Sequence, residues 1–333
     1  MEKKQQPKEK FKTMIGGQAL IEGIMMRGPK KDAIVVHQNG QLHVTVKDRK
    51  MVSQKSIWNW PLLRGMRGFF DSQVTGVKAL MHSADLSPEA AEENPSKLDM
   101  WLEKKLGNEK FQQLVVGFAV FMGLAISVGL FFVLPMLASS LLDGWINNTL
   151  LLNLVEGLIR IAIFVVYIVL CSRMKEMKRV FAYHGAEHKT IRCYEAGIPL
   201  TVENVRGMTR LHPRCGTSFL LVVMILSILL FSVASTLLLN VVPALGQLKE
   251  SMSIVYKLVM IVFKLLLLPL VVGIGYEINR WVGRHDNWFT RILTAPGMWF
   301  QNFTTNEPDD TMIEVGITAV QAVLPEKEGE DAW

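Results

Sequence analysis

Four long apolar runs dominate the chain, from Leu114 to Leu134, Leu150 to Leu170, Phe219 to Leu239 and Val255 to Tyr276. Each is close to the ~20 residues that a helix needs to cross the hydrocarbon core of a bilayer, and little charge interrupts them. The pattern predicts a mainly α, polytopic membrane protein with four transmembrane helices. At the start of the chain Met1-Glu2-Lys3-Lys4 is polar, so no cleavable signal is expected.

Other periods surround these runs. Residues 1–13 are rich in Lys and Gln and are expected to form a disordered tail, and 14–110 read as a small α+β cytosolic region. Ala33 to His37 and Gln41 to Val46 alternate on either side of Asn39-Gly40, a strong hairpin signal. Ile57 to Ser83 has a helical period. Its Trp58, Trp60, Phe69 and Phe70, mixed with Arg64 and Arg67, fit a helix that either lies at a bilayer surface or packs on the hairpin. Asp85 to Pro95 is acidic and reads as a linker to a short helix leading into the first span.

The first pair of spans occupies 111–171 and the second 217–279. No proline lies between Leu150 and Ile198, so the second span is expected to run on as one helix to Gly197, where Gly caps and Pro199 stops it. Thr201 then caps a short return helix ending near His212-Pro213, and 172–216 form a cytosolic α-helical hairpin. Within 280–333, Trp281 to Phe303 is aromatic and interfacial, and Asp309 caps an amphipathic helix that carries Met312, Ile313, Val315, Ile317, Val320 and Val323.

Charge orients this arrangement. Lys and Arg gather before the first span and between Arg173 and Arg214, whereas the links near Asp143 and from Asn240 to Ser253 offer only Lys249. Both termini are therefore expected in the cytoplasm. A net charge of +6 follows from that topology and fits attraction to membrane lipids; no specific nucleic-acid partner is expected. Cys171, Cys193 and Cys215 fall at or near the reducing side, so metal binding or packing is expected rather than disulfides.

Candidate chemistry is concentrated in Tyr183-His184-Gly185-Ala186-Glu187-His188, an H-x-x-E-H pattern. On a helix, residues four apart share a face, so His184 and His188 can hold one divalent ion, zinc by preference, while Glu187 handles protons. Glu195 points the same way but lies about 10 Å further along the axis, too far to join both histidines. A third ligand must come from Glu203, His212 or Cys215 nearby, or from Glu22 or Glu314 at a distance. With His184, His188, His212 and Cys215 all bound the ion would be a closed staple; three ligands and water would leave it open for catalysis. The H-x-x-C pair His212-Pro213-Arg214-Cys215 strengthens the metal reading, against the plainer one of a turn entering the third span.

A second constellation lies within the spans. Glu156 and Arg160 are four apart and Lys264 is near the middle of the fourth run, so the three are expected to face the bundle interior. They read either as a polar path or as a neutralised cluster, assisted by Asn153, that fixes helix packing. Three charges do not make a relay, which favours packing.

Gly17-Gln18-Ala19-Leu20-Ile21-Glu22-Gly23-Ile24-Met25-Met26-Arg27-Gly28-Pro29, Tyr183 to Lys189, Leu200-Thr201-Val202-Glu203-Asn204-Val205, His212-Pro213-Arg214-Cys215-Gly216-Thr217-Ser218-Phe219 and Glu307-Pro308-Asp309-Asp310 with Glu314-Val315 together resemble the bacterial YqhQ family over nearly the whole chain. The resemblance implies a bacterial inner-membrane protein of a domain class of unknown function, described as a predicted metal-dependent enzyme. It carries over His184, His188, His212 and Cys215 as ligands and Glu187 as base.

Two functions of different class follow. One is a metal-dependent hydrolase facing the cytosol at the membrane surface. The other is a non-catalytic scaffold or assembly factor whose basic domain docks a partner such as membrane-insertion machinery. A transporter rests on Glu156, Arg160 and Lys264 alone, and no inverted repeat supports it.

Overall fold

The computed structural model describes residues 9–49, 53, 55–86, 108–142, 144–146, 148–327 and 329–332. The linker and short helix expected between Asp85 and the first span lie largely outside them, as do residues 1–8 of the expected disordered tail. The chain is mainly helical and divides into two compact units. The first draws its described residues from 1–88, 168–226 and 269–333, the second from 89–167 and 227–268.

An antiparallel meander, ordered β1-β2-β3-β4, opens the first unit: β1 (Gly16–Leu20), β2 (Gly23–Arg27), β3 (Lys31–Gln38) and β4 (Gln41–Asp48). The hairpin expected at Asn39-Gly40 joins β3 to β4, with Gln38 opposite Gln41 and positive φ (50° and 77°) at both turn residues. Strands β1 and β2 add to the sequence reading. β2 is covered on both faces, which removes the alternation that marks a half-exposed strand. Ile24 and Met26, with Ala33 and Val35 of β3, pack against Tyr183 and Ala186 of α5 (Lys175–Glu195) and Val315, Ala319 and Val320 of α11 (Asp310–Val323). Met25, Ile34 and Val36 face the other way, onto Ala79 of α1 (Leu63–Asp85). Fully burying such side chains contributes about 1.5–3 kcal/mol each.

Among the described residues, four helical segments are long and apolar enough to cross a membrane. The first, Gly117–Ser140, joins α2 (Asn108–Val128) to α3 (Leu134–Ser140) through a π-helical turn at Gly129–Val133. The others are built on α4 (Thr149–Cys171), α7 (Gly216–Val241) and α9 (Ser253–Arg284), with α8 (Ala244–Ser251) between the last two. Helix α10 (Trp288–Thr304) follows α9 and carries an Asn287–Thr290 capping box.

Three expectations need correction. The second span does not run on to Gly197: α4 stops at Cys171, Ser172 and Arg173 turn, and Met174 takes an extended backbone (ψ 141°) before α5 begins. No Pro or Gly marks that break. The return helix α6 (Val202–Arg206) is capped by Thr201, whose side chain accepts from Asn204 N, but it ends well short of His212. Residues 10–13 are not a loose tail: Lys10 N and Phe11 N donate to Glu195 O, Thr13 N donates to Glu195 Oε1 (3.0 Å), and Thr13 bridges to Ala332.

The second unit brings Glu156, Arg160 and Lys264 together. Lys264 Nζ donates to both Glu156 oxygens (2.6 and 2.7 Å) and Arg160 Nη2 to Oε1 (2.6 Å). Arg160 Nε takes the Phe131 carbonyl of the π turn (2.8 Å), and its guanidinium lies over Phe132 and Phe231. The cluster is saturated by its own side chains and by one distorted turn, an arrangement suited to fixing helix register.

Candidate metal centre

Helix α5 is polar in sequence yet buried through its middle, because the sheet and α11 cover one side and the segments after α6 and α10 cover the other. Gly185 makes the second cover possible. A Cβ there would lie 2.0 Å from Asn306 O, so only glycine lets the chain leaving α10 run across the helix, where Asn306 N donates to Phe181 O (2.7 Å).

That crossing carries Thr304 O to His184 Nδ1 (2.8 Å), and the loop after α6 carries Arg210 O to His188 Nδ1 (2.6 Å). A carbonyl only accepts, so both Nδ1 atoms hold a proton and both Nε2 atoms are left with a lone pair in the neutral rings. Donation of the far N–H to a backbone carbonyl is the usual support of a metal-ligating histidine. His184 Nε2 lies 3.3 Å from Cys215 Sγ, and the ligand atoms of His184, His188 and Cys215 all lie within 4.8 Å of one another. Donors sharing one tetrahedral zinc would be about 3.5 Å apart. His188 is 1% exposed and its Nε2 is buried without a hydrogen-bond partner. Such an orphan acceptor is costly unless something positive fills the space it faces.

Cys215 stands just before the first turn of α7, where Thr217 N and Thr217 Oγ1 approach its sulfur at 3.4 and 3.2 Å. Burial opposes the thiolate, but the two histidines outweigh it and hold the thiol well below its ordinary value. His184 responds in kind: burial works against its charged form, yet the Cys215 contact raises it to about 9. Both shifts run toward an imidazolium beside a thiolate, and a divalent ion bound there would compete with that proton.

Glu187 lies beside this trio, 5% exposed. Its Oε1 accepts from Gly17 N of β1 (2.9 Å), while Oε2 is buried without a partner. Burial raises its carboxyl above the usual range, against the pull of His184 and His188. A Cβ at Gly17 would lie 3.1 Å from the Glu187 carboxyl carbon, so that glycine admits the acid to the strand.

The remaining predicted ligands are placed elsewhere. His212 Nε2 is turned to Glu195 Oε2 (3.1 Å), which also takes Arg214, so His212 does not join His184 and His188. Glu203 is exposed on α6 and Glu314 exposed on α11, while Glu22 is bound by Arg179 and Tyr183. Sequence reasoning missed Gln301 of α10. It accepts from His212 N (2.7 Å) and donates to His212 O (2.7 Å) and Ser218 Oγ (2.9 Å), pinning both ends of the loop that carries Cys215. A lone Gln near the end of an aromatic helix carries no signal of that role.

A family model described as "Protein of unknown function (DUF1385)" matches residues 60–326. A Bacillus subtilis (strain 168) protein described as "Uncharacterized protein YqhQ" is 30% identical over 326 residues, covering 95% of this chain and 94% of that protein. No solved structure matches the chain.

Proposed function

The chain belongs to the YqhQ family of unknown function (DUF1385), and on that premise we propose that it is a metal-dependent hydrolase of the bacterial inner membrane. Its ion is held by His184, His188 and Cys215 and faces the cytosol, where the distribution of Lys and Arg also puts both termini. The observation that carries this reading is the buried, unpartnered Nε2 of His188 beside a second imidazole and the Cys215 sulfur. Two nitrogens and one sulfur favour zinc, and three protein donors are the complement of a site that keeps one position open.

When bound, the ion supplies Lewis acidity for hydrolysis of an amide, ester or phosphoester. Glu187 Oε2 is free to accept a proton, Gly17 N–H fixes the other oxygen, and a carboxyl raised by burial sits closer to the working range of a base. The backbone carbonyls of Thr304 and Arg210 hold the two rings in their ligating tautomer.

The test is metal content of protein purified without chelators and reloaded with zinc. One equivalent is expected in wild type and in Glu187→Gln, with loss in His188→Ala; Glu187→Gln should lose cellular function although it keeps metal. Wild-type protein that takes up no zinc would overturn the proposal.

A second reading is favoured by the 3.3 Å His184–Cys215 contact: a thiolate nucleophile with an imidazolium partner. It makes His188 dispensable and leaves Cys215 open to alkylation whether or not zinc is present. Protection of Cys215 by zinc favours the metal.

A further inference from the structure

Two helices of the first unit turn an apolar stripe outward. On α10, Trp288, Ile292, Pro296 and Trp299 recur at helical spacing and are exposed, while the opposite face buries Gly297, Phe300, Gln301 and Thr304. On α1, Phe70, Val74, Val77 and Met81 form an equivalent exposed ridge opposite Gly65, Gly76, Ala79 and Ser83. Exposed apolar side chains that line up along one helix face mark a contact with protein or membrane.

The occupant follows from where these helices are attached. At the head of α1, Leu62 backbone approaches Gly273, Gly65 lies against Tyr276, and Arg64 Nε donates to Glu277 Oε1 (2.7 Å). There the apolar sequence of α9 gives way to Glu277, Arg280 and Arg284. Gly297 of α10 lies against Ser218 in the first turn of α7, and Gly275 of α9 against Val223 of α7, so the two apolar helices end at one level. Both outward stripes are therefore fixed where membrane-crossing sequence becomes polar. Exposed Trp58 and Trp60 precede α1, and Trp288 and Trp299 lie on α10; indoles favour the headgroup level of a bilayer. Lys78 on α1 and Arg284 before α10 are exposed beside the stripes and complement anionic headgroups.

We propose that α1 and α10 form a lipid-docked collar, lying in the plane of an anionic bilayer with their apolar stripes in the headgroup–acyl boundary. The collar does not depend on the metal, and the inner face of α10 is the one from which Thr304 O reaches His184 and Gln301 holds the loop that carries Cys215.

Spin labels at Val74→Cys and Ile292→Cys, with Gln41→Cys at the exposed β3–β4 turn as reference, test this in full-length protein carrying Cys171→Ser and Cys215→Ser, so that neither of these thiols competes for the label. The protein is placed in nanodiscs of phosphatidylcholine with phosphatidylglycerol, and collision with oxygen is compared with collision with a water-soluble nickel chelate. Oxygen should dominate at positions 74 and 292 and nickel at 41. Nickel dominance at either helix overturns the collar, and so does shielding from both reagents, which means that protein covers the stripe. The anionic preference is read from Lys78→Glu with Arg284→Glu: shallower labels are expected, and unchanged depth overturns that part.

Discussion

Glu195 has no exposed surface and accepts hydrogen bonds from Thr13 N, His212 Nε2 and Arg214 Nη2. Burial alone would raise its carboxyl, but His212, Arg214 and the Thr13 amide together bring it below the ordinary 4.5 of a glutamate. Burial pushes His212 the other way, from 6.5 down to about 4, against the pull of Glu195. Both groups bind protons more weakly folded than unfolded, so the stability they contribute is present above the unfolded values. It is lost as pH falls, for His212 between 6.5 and about 4 and for Glu195 below 4.5. Thermal melts from pH 7 to 4 should show a falling midpoint, and His212→Gln should flatten the upper part of that fall; an unchanged slope would deny His212 this role. The residue types were legible in sequence, because His184, His188 and Cys215 are plain ligand chemistry. Which imidazole turns inward was not, since H-x-x-C spacing does not tell that His212 is claimed by Glu195.

Among elements, the crossing of α5 by the chain leaving α10 has the least tolerance. Gly185→Ala would drive a methyl into Asn306 O, and overpacking of this kind costs about 1–3 kcal/mol or more. Because the same crossing delivers Thr304 O to His184, the variant should also retain less zinc. A lowered melting midpoint with full metal content would mean that the crossing supports the fold alone. The Asn39-Gly40 hairpin, the Thr201 and Asp309 caps and the four apolar helices were readable, each resting on local chemistry. The break at Ser172-Arg173 and strands β1 and β2 were not, because tertiary cover decides them: β2 has core on both faces and shows no period of two.

On the scale of the whole molecule, the two units rest on different physics. The second is tied by one carboxylate between two cations, and removing it strands both in apolar surroundings. Glu156→Gln should destabilise by about 3–5 kcal/mol, and Lys264→Met added to it should recover part of that loss. Unfolding midpoints in detergent check both; a silent Glu156→Gln would mean that water reaches the cluster.

The first unit is instead stitched from three stretches of sequence, and His184 waits for a carbonyl 120 residues downstream. A ribosome therefore releases both histidines and Cys215 long before Thr304 and Asn306 exist to close over them. All four apolar helices are synthesised before that closure. The ion-binding geometry is consequently a product of the finished polypeptide, and a nascent chain truncated before α10 would keep the Arg210 carbonyl for His188 but leave His184 without the one that fixes its ring.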